Sequence, residues 1–367
     1  VINSIIYSNA LKLIDGNVIL NENKYVIYDG NIETFFDSQG IFSNSLITQK
    51  DILLFDNLKL KHYNLIFNQV VTLDSYYKTS VIDATLNFNS KSSNSTIRNL
   101  NFDLVGNTAF NLNFARNITI ENVNINLISS KDVSAIIITG ESFDNLINNN
   151  TINMKGSASL TGITIYNYYD GYYGLSPKNN IISNNIISSS GDTGIHNKSL
   201  CSIVFGGANY NTISNNQISV ADANAIYGSA YDSGAFIGAR SYNNVVFNNT
   251  IKVTVIPTSW NYAIQFMGDN NTADSNTIIG AFRGISSDGS TIVKNNKIIN
   301  STGVDHNNKS IVIGGEYGIV VGQNSIISNN LIQNALLSGS GICAADGSKV
   351  TNNTVDVKGK GYGIDAN

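Results

Sequence analysis

Apolar and polar positions along this chain keep settling into one phrase, Ile-polar-Asn-Asn-polar-Ile. It reads INNNTI at 147–152, ISNNII at 182–187, ISNNQI at 213–218 and VFNNTI at 246–251. It continues as VKNNKI at 293–298, ISNNLI at 327–332 and VTNNTV at 350–355, with looser copies at 97–102, 120–125 and 273–278. Copies recur about every 20 to 35 residues, the period of a solenoid coil. A small-then-apolar pair follows most of them: Gly162-Ile163, Ala263-Ile264, Gly284-Ile285, Gly318-Ile319, Gly341-Ile342 and Gly363-Ile364. Around both signatures the apolar residues alternate with polar ones, the period of strands with one buried face. Short strands separated by tight turns, repeated along the chain, predict an all-β fold. The architecture expected is a right-handed parallel β-helix of about ten or more coils.

The second asparagine of each phrase forms a column: Asn150, Asn185, Asn216, Asn249, Asn276, Asn296, Asn330 and Asn353. Asparagine tolerates the left-handed backbone of a sharp bend, and stacked amides hydrogen-bond from coil to coil. The column therefore reads as a structural ladder at the bend. Where the period stretches, keeping the distance between the two signatures constant selects Ser202-Ile203 and Ala235-Phe236 as the small-apolar pairs. Gly194-Ile195 and Ala225-Ile226 are the rival choice. The selection gathers the inserted residues into one turn, with long loops at about 188–201, 219–234, 252–262 and 299–316 on a single edge.

The first 80 or so residues break the pattern. Residues 31–40 (NIETFFDSQG) read as a short amphipathic helix, with Asn31 as N-cap and Gly40 as its stop, covering the first coil. Two regions follow: 1–90, a cap with irregular first coils, and 91–367, the repeat domain. At the other end Tyr362-Gly363-Ile364 begins a further coil without a visible cap, which predicts either more chain or a partner at that face.

Composition narrows the function. Only 13% of residues are charged, there are two prolines against 31 glycines, and about one residue in six is asparagine. That argues against an α-solenoid, whose helices draw on Glu, Lys, Arg, Ala and Leu. A net charge of −4 and a pI near 5.3 supply no basic surface for nucleic acid. No apolar run is long enough for a membrane-spanning helix. Cys201 and Cys343 are too few for a disulfide framework and read as small apolar residues. The Asn-x-Ser/Thr sequons, Asn94, Asn117, Asn197 and Asn300 among them, are no more frequent than this composition gives by chance.

Two kinds of chemistry could reside in the loops. Glycan cleavage needs paired carboxylates, or a carboxylate-bound calcium with a base. Asp192 and His196 share one loop, Asp222 and Asp232 the next, and Arg240 follows; these are the candidates if the chain is an enzyme. No coil carries two carboxylates at close alternate positions, and no cofactor is indicated, calcium included. His62 and His306 stand alone and read as surface or turn residues. The aromatics are more concentrated: Tyr166, Tyr168, Tyr169, Tyr172 and Tyr173 crowd one segment, with Tyr227, Tyr231 and Trp260 in the neighbouring loops. Flat rings stack on sugars and supply contact area at low entropic cost, which makes this edge the candidate ligand-binding surface.

The Asn-Asn coils together with residues 25–47 (YVIYDGNIETFFDSQGIFSNSLI) resemble the adhesin-like surface proteins of methanogenic archaea. The coils from 97 to 364 are equally similar to β-helix repeats of carbohydrate-active and phage tail proteins. The first resemblance implies a secreted, extracellular β-helix at a cell surface, with a Phe-Phe-Asp cap before the first coil. Its partners would be surface glycans or surface proteins, with self-association through the C-terminal end as a further option. Two alternatives stand beside that role. One is a tailspike-like polysaccharide lyase or hydrolase, and the other is a structural subunit of a surface filament or layer.

Overall fold

The computed structural model of this protein describes residues 12–14, 17–21, 23–156, 160–166, 176–191, 201–220, 226–228, 241–254, 262–281, 283–299, 317–335, 339–358 and 361–366. They form a parallel β-helix. Each full coil contributes three strands, and each strand pairs in parallel with its equivalents in the coils before and after. The first sheet stacks three-residue strands such as Thr119–Glu121, Leu146–Asn148, Ile181–Ser183 and Thr212–Ser214. The second runs through Asn124–Ser129, Thr151–Gly156 and Ile186–Gly191, and the third through Val133–Thr139, Leu160–Tyr166 and Cys201–Gly206. Its crossovers take the right-handed sense that parallel strands adopt.

Alternation supplies the core. Asn124–Ser129 is exposed at every odd place and buried at every even one. Register keeps like over like: Ile97, Ile120, Ile147, Ile182 and Ile213 are consecutive partners in the first sheet, all fully buried. Burying one such side chain contributes about 1.5–3 kcal/mol, so each coil adds a similar increment to one continuous core running from Ile27 to Ala344.

The small-apolar pair has a steric cause. At Gly318 a β-carbon would lie 2.5 Å from the Gly341 carbonyl oxygen and 2.8 Å from Ile332 Cδ1; at Gly284 the same clashes fall on Gly318 and Ile298. There the third sheet passes closest to the inward isoleucine of the second, and only a small residue fits between it and the next coil.

Four expectations change. The left-handed residue at the bend is the first asparagine, not the ladder asparagine. Asn149, Asn184, Asn215, Asn248, Asn295, Asn329 and Asn352 have φ between 51° and 57°. The bend turns the next side chain inward, so the ladder residue itself needs no unusual backbone. Second, the cap is not an α-helix. Only Ile32–Thr34 makes a 3-10 turn, and the Asn31 side chain does not cap it. Asn31 Oδ1 instead accepts from Tyr28 N at 2.8 Å, and its Nδ2 donates to Val26 O at 2.8 Å. Phe35, Phe36 and Phe42 are driven under the stack, where Phe42, Phe67 and Phe88 stack at 5.9 and 5.1 Å. That burial selects an irregular segment over a helix.

Third, the coils before residue 90 belong to the same stack: Tyr25, Leu53, Leu73 and Ile97 are successive register partners. Fourth, Ile203 and Ile226 are the third-sheet isoleucines of their coils, because Ile203 pairs with Ile226 and Ile226 with Ile264. Ala235-Phe236 lies outside the described residues. The inserted segments therefore leave from two corners. Residues 192–200, 221–225, 255–261 and 300–316 join the second sheet to the third, while 167–175 and 229–240 join the third to the first.

Candidate functional site

Two bends frame the short strands of the first sheet, and from Asp144 onward most of these bends are followed by an inward amide. At the second bend the ladder runs from Asn150 to Asn353. Asn150 N and Nδ2 both donate to Asn185 Oδ1, at 2.9 and 3.0 Å, and Asn150 Nδ2 also donates to Ile120 O at 3.0 Å. The same three bonds repeat from Asn185, Asn216, Asn249, Asn276, Asn296 and Asn330, each to the next. From Asn185 to Asn330, each Nδ2 gives both hydrogens and each Oδ1 accepts two bonds from the coil before. No valence of the amide remains for a ligand.

A second ladder stands at the first bend: Asn145, Asn180, Asn211, Asn244 and Asn271, with Nδ2 to Oδ1 distances of 2.9–3.2 Å. Its signal was in the sequence, an asparagine five places before each ladder residue, but it fades where Thr291, Ser325 and Ser348 take the position.

With both ladders saturated, recognition falls to side chains that point out. Beside the first bend, Arg116, Phe143, Lys178 and Asn209 form an outward row joined by parallel bridges. The Arg116 guanidinium lies 4.3 Å from the Phe143 ring centroid, and Lys178 Nζ lies 5.7 Å from it. Arg116 Nη2 also approaches Glu141 Oε2 at 3.6 Å, with both side chains partly exposed. Two aromatics flank this cluster. Phe114 is 42% exposed and rests against the backbone of Gly140, where a β-carbon would meet the ring at 3.0 Å; Tyr210 is 59% exposed. Phe114 and Tyr210 are three coils apart, a rise of about 14 Å along the helix axis at one strand spacing per coil. Both adopt left-handed φ, 56° and 59°, which throws the rings outward at the corner.

Tyr166 ends its third-sheet strand half-buried at the same corner. Tyr168, Tyr169, Tyr172 and Tyr173 lie outside the described residues, in the segment joining Tyr166 to this row. Tyr231, Asp232 and Arg240 also lie outside them, in the segment that leads to Tyr242. Asp192, His196, Asp222 and Trp260 are outside as well. Tyr227 is on the third-sheet strand Ile226–Gly228. Phe114, Phe143 and Tyr210 were missed because each is a single aromatic in a turn. Their only mark is position: Phe143 and Tyr210 stand two and one residues before the ladder asparagines Asn145 and Asn211, and Phe114 three before the bend residue Asn117.

His62 is not isolated. Its Nδ1 meets Asp83 Oδ1 at 2.7 Å and its Nε2 meets Thr85 Oγ1 at 3.1 Å. The Thr85 hydroxyl is committed to Thr108 O at 2.6 Å, so the cluster ties three successive coils together. His306 lies outside the described residues. Nearby, burial and a 2.7 Å bond from its hydroxyl to Asp29 push the Tyr63 phenol up to about 12. Among the described residues no three His, Cys, Asp or Glu side chains converge as metal ligands would, and no helix is long and apolar enough to cross a membrane.

No protein-family model matches this chain, and no curated protein matches it significantly. Similar solved structures include the catalytic domain of a GH87 alpha-1,3-glucanase variant in complex with tetrasaccharides, at 13% identity and TM-score 0.48, covering 91% of this chain and 68% of that one. A mannuronic acid specific polysaccharide family 6 lyase from human gut microbiota is 11% identical with TM-score 0.47, covering 94% and 82%. The tailspike receptor-binding domain of Siphovirus 9NA is 13% identical with TM-score 0.46, covering 92% and 76%.

Proposed function

We propose that this protein is an extracellular, adhesin-like β-helix that binds glycans along the corner between its third and first sheets. The observation that carries the reading is the row Arg116–Phe143–Lys178 with Phe114 and Tyr210 exposed on either side. Rings at fixed coil spacings suit the faces of successive sugars, and the cations and Glu141 supply charged hydrogen-bond donors and an acceptor for hydroxyl or carboxylate groups. The scaffold beneath is fixed by its amide ladders, so little ordering entropy opposes binding.

Glycan-array and calorimetric binding with the Phe114→Ala/Tyr210→Ala variant test this. The surface rings hold up little of the core, so the melting temperature is expected to stay within a few degrees while affinity drops roughly tenfold or more. Unchanged glycan affinity in the double variant would sink the corner site. Release of new reducing or unsaturated ends, abolished by Asp192→Ala or Asp232→Ala, would replace adhesion with cleavage as the function.

A further inference from the structure

The outward face of the first sheet serves neither the core nor the corner site. Each of its strands turns two residues away from the core, although Ser183 and Ser214 are themselves nearly covered. One outward row is apolar and β-branched: Ile181, Thr212, Val245, Thr272, Ile292 and Ile326 are consecutive partners. Ile181, Val245, Ile292 and Ile326 are 36–44% exposed, more than scattered surface isoleucines require. The other outward row carries charge at two separated places. Arg98 Nε donates to Asp74 Oδ2 at 2.8 Å, and Lys294 Nζ lies 3.3 Å from Asp274 Oδ2. The two clusters are copies of one device. In each, the bend asparagine after the cation also donates to the aspartate: Asn99 to Asp74 at 2.9 Å and Asn295 to Asp274 at 2.8 Å. Burial pushes the Asp274 carboxyl up, but the bonds from Asn295, Ser275 and Lys294 outweigh it and hold it below the usual carboxylate range.

Position makes this repeated device informative. From Arg98 the row runs through Glu121, Asn148, Ser183, Ser214 and Phe247 to Asp274, so Ser183 stands three coils from each end. Arg98 and Asp274 are about 29 Å apart at one strand spacing per coil. A two-fold axis along the strand direction at the Ser183 coil turns the face onto itself with the helix axes reversed. That operation sets Arg98 of one copy opposite Asp274 of the other and Asp74 opposite Lys294. It makes a four-charge network at each end of the contact. It also lays the apolar row on itself, centred on Ile181 against Ile181, and places Glu121 over Phe247. Only the reversed arrangement does this, because charges of one sign would otherwise face their own kind.

We propose that the first-sheet face is an isologous docking surface for a second copy of this chain, packed antiparallel about the Ser183 coil. From the Thr72 coil to the Ile326 coil the face is about 43 Å long, and from bend to bend about 16 Å wide. It offers about 700 Å² per partner, close to the about 800 Å² of a standard specific interface. The two-fold relation is the commonest symmetry of homo-oligomers, and it needs one patch that complements itself. The corner site lies at the border of this face, so a dimer would carry two such sites facing opposite ways along its length.

Two charge-reversed variants of the full chain test the proposal. One is Asp74→Lys/Arg98→Glu and the other is Asp274→Lys/Lys294→Glu. Each keeps its ion pair within the chain, so circular dichroism and melting temperature are expected to match the parent. By sedimentation velocity the parent is expected to dimerise. Each variant alone sets like charges opposite at both ends, and its dissociation constant is expected to rise roughly tenfold or more. Mixed in equal amounts, the two restore opposite charges at both ends and are expected to form a heterodimer with parental affinity. A parent that stays monomeric at its highest soluble concentration overturns the proposal. So do variants that self-associate like the parent, or a mixture that fails to pair.

Discussion

Asparagine does two different jobs at adjacent positions, and substitution separates them. Asn216 is buried; its N and Nδ2 donate to Asn249 Oδ1 at 2.9 Å, and its Oδ1 accepts from Asn185 N at 2.9 Å. Asn216→Ala strands several buried donors at once, each worth about 1–3 kcal/mol, and is expected to cost about 2–4 kcal/mol in denaturant unfolding. Asn215 has φ 57° and an exposed side chain, so Asn215→Gly is expected to be nearly neutral and Asn215→Ala to cost about 1 kcal/mol. Equal losses at both positions would count against this division. The Asn-Asn pair was plain in the sequence, but which member took the left-handed bend was not, because both roles suit asparagine. Only the inward side chain distinguishes them, and that depends on the sense of the bend.

At the scale of strands and turns, periodicity was a good guide wherever burial decides the conformation. The second-sheet strands could be read from their alternation, since inward residues such as Phe102 and Leu104, Ile125 and Leu127, or Ile152 and Met154 recur at every second place. Residues 31–40 misled for the same reason: Phe35 and Phe36 fit a helical stripe, yet both sides of the segment are needed under the stack. The small residues before each third-sheet isoleucine mark the closest approach between sheets. Gly318→Ala would drive a β-carbon into the Gly341 carbonyl at 2.5 Å, and the stacked backbone has little room to give. A loss of about 1–3 kcal/mol is expected in equilibrium unfolding, with a lower melting temperature. A stabilised Gly318→Ala protein would mean that the coils can part there at little cost. Sequence spacing chose Ala235-Phe236 over Ala225-Ile226 because it assumed insertions at a single corner. The pairing of Ile226 with Ile264 shows that insertions entered at two.

For the molecule as a whole, coils are interchangeable units joined only to their neighbours. The coil from Asn276 to Asn296 spans 20 residues. Deleting 277–296 would bring Lys297–Ile299 against Thr250–Val253 in the register that Thr277–Ile279 now holds. Such a protein is expected to keep its circular dichroism spectrum and to shorten by about 5 Å in small-angle scattering. Loss of cooperative unfolding would contradict the equivalence. The scaffold was therefore legible from one line of sequence, whereas the corner site was not. Phe114, Arg116, Phe143 and Lys178 come from three different coils and share no spacing; only stacking makes them neighbours. The ladders have one more property. Each asparagine gives two hydrogens forward and takes two from behind, so the stack has unlike ends, as a growing polymer has. A coil condensing after Asn185 meets two oriented donors waiting for its amide oxygen, while one condensing before it meets that oxygen and a single Nδ2 hydrogen aimed at a backbone carbonyl. Growth in chain order is thereby templated, and a nascent chain could extend its own scaffold one amide at a time.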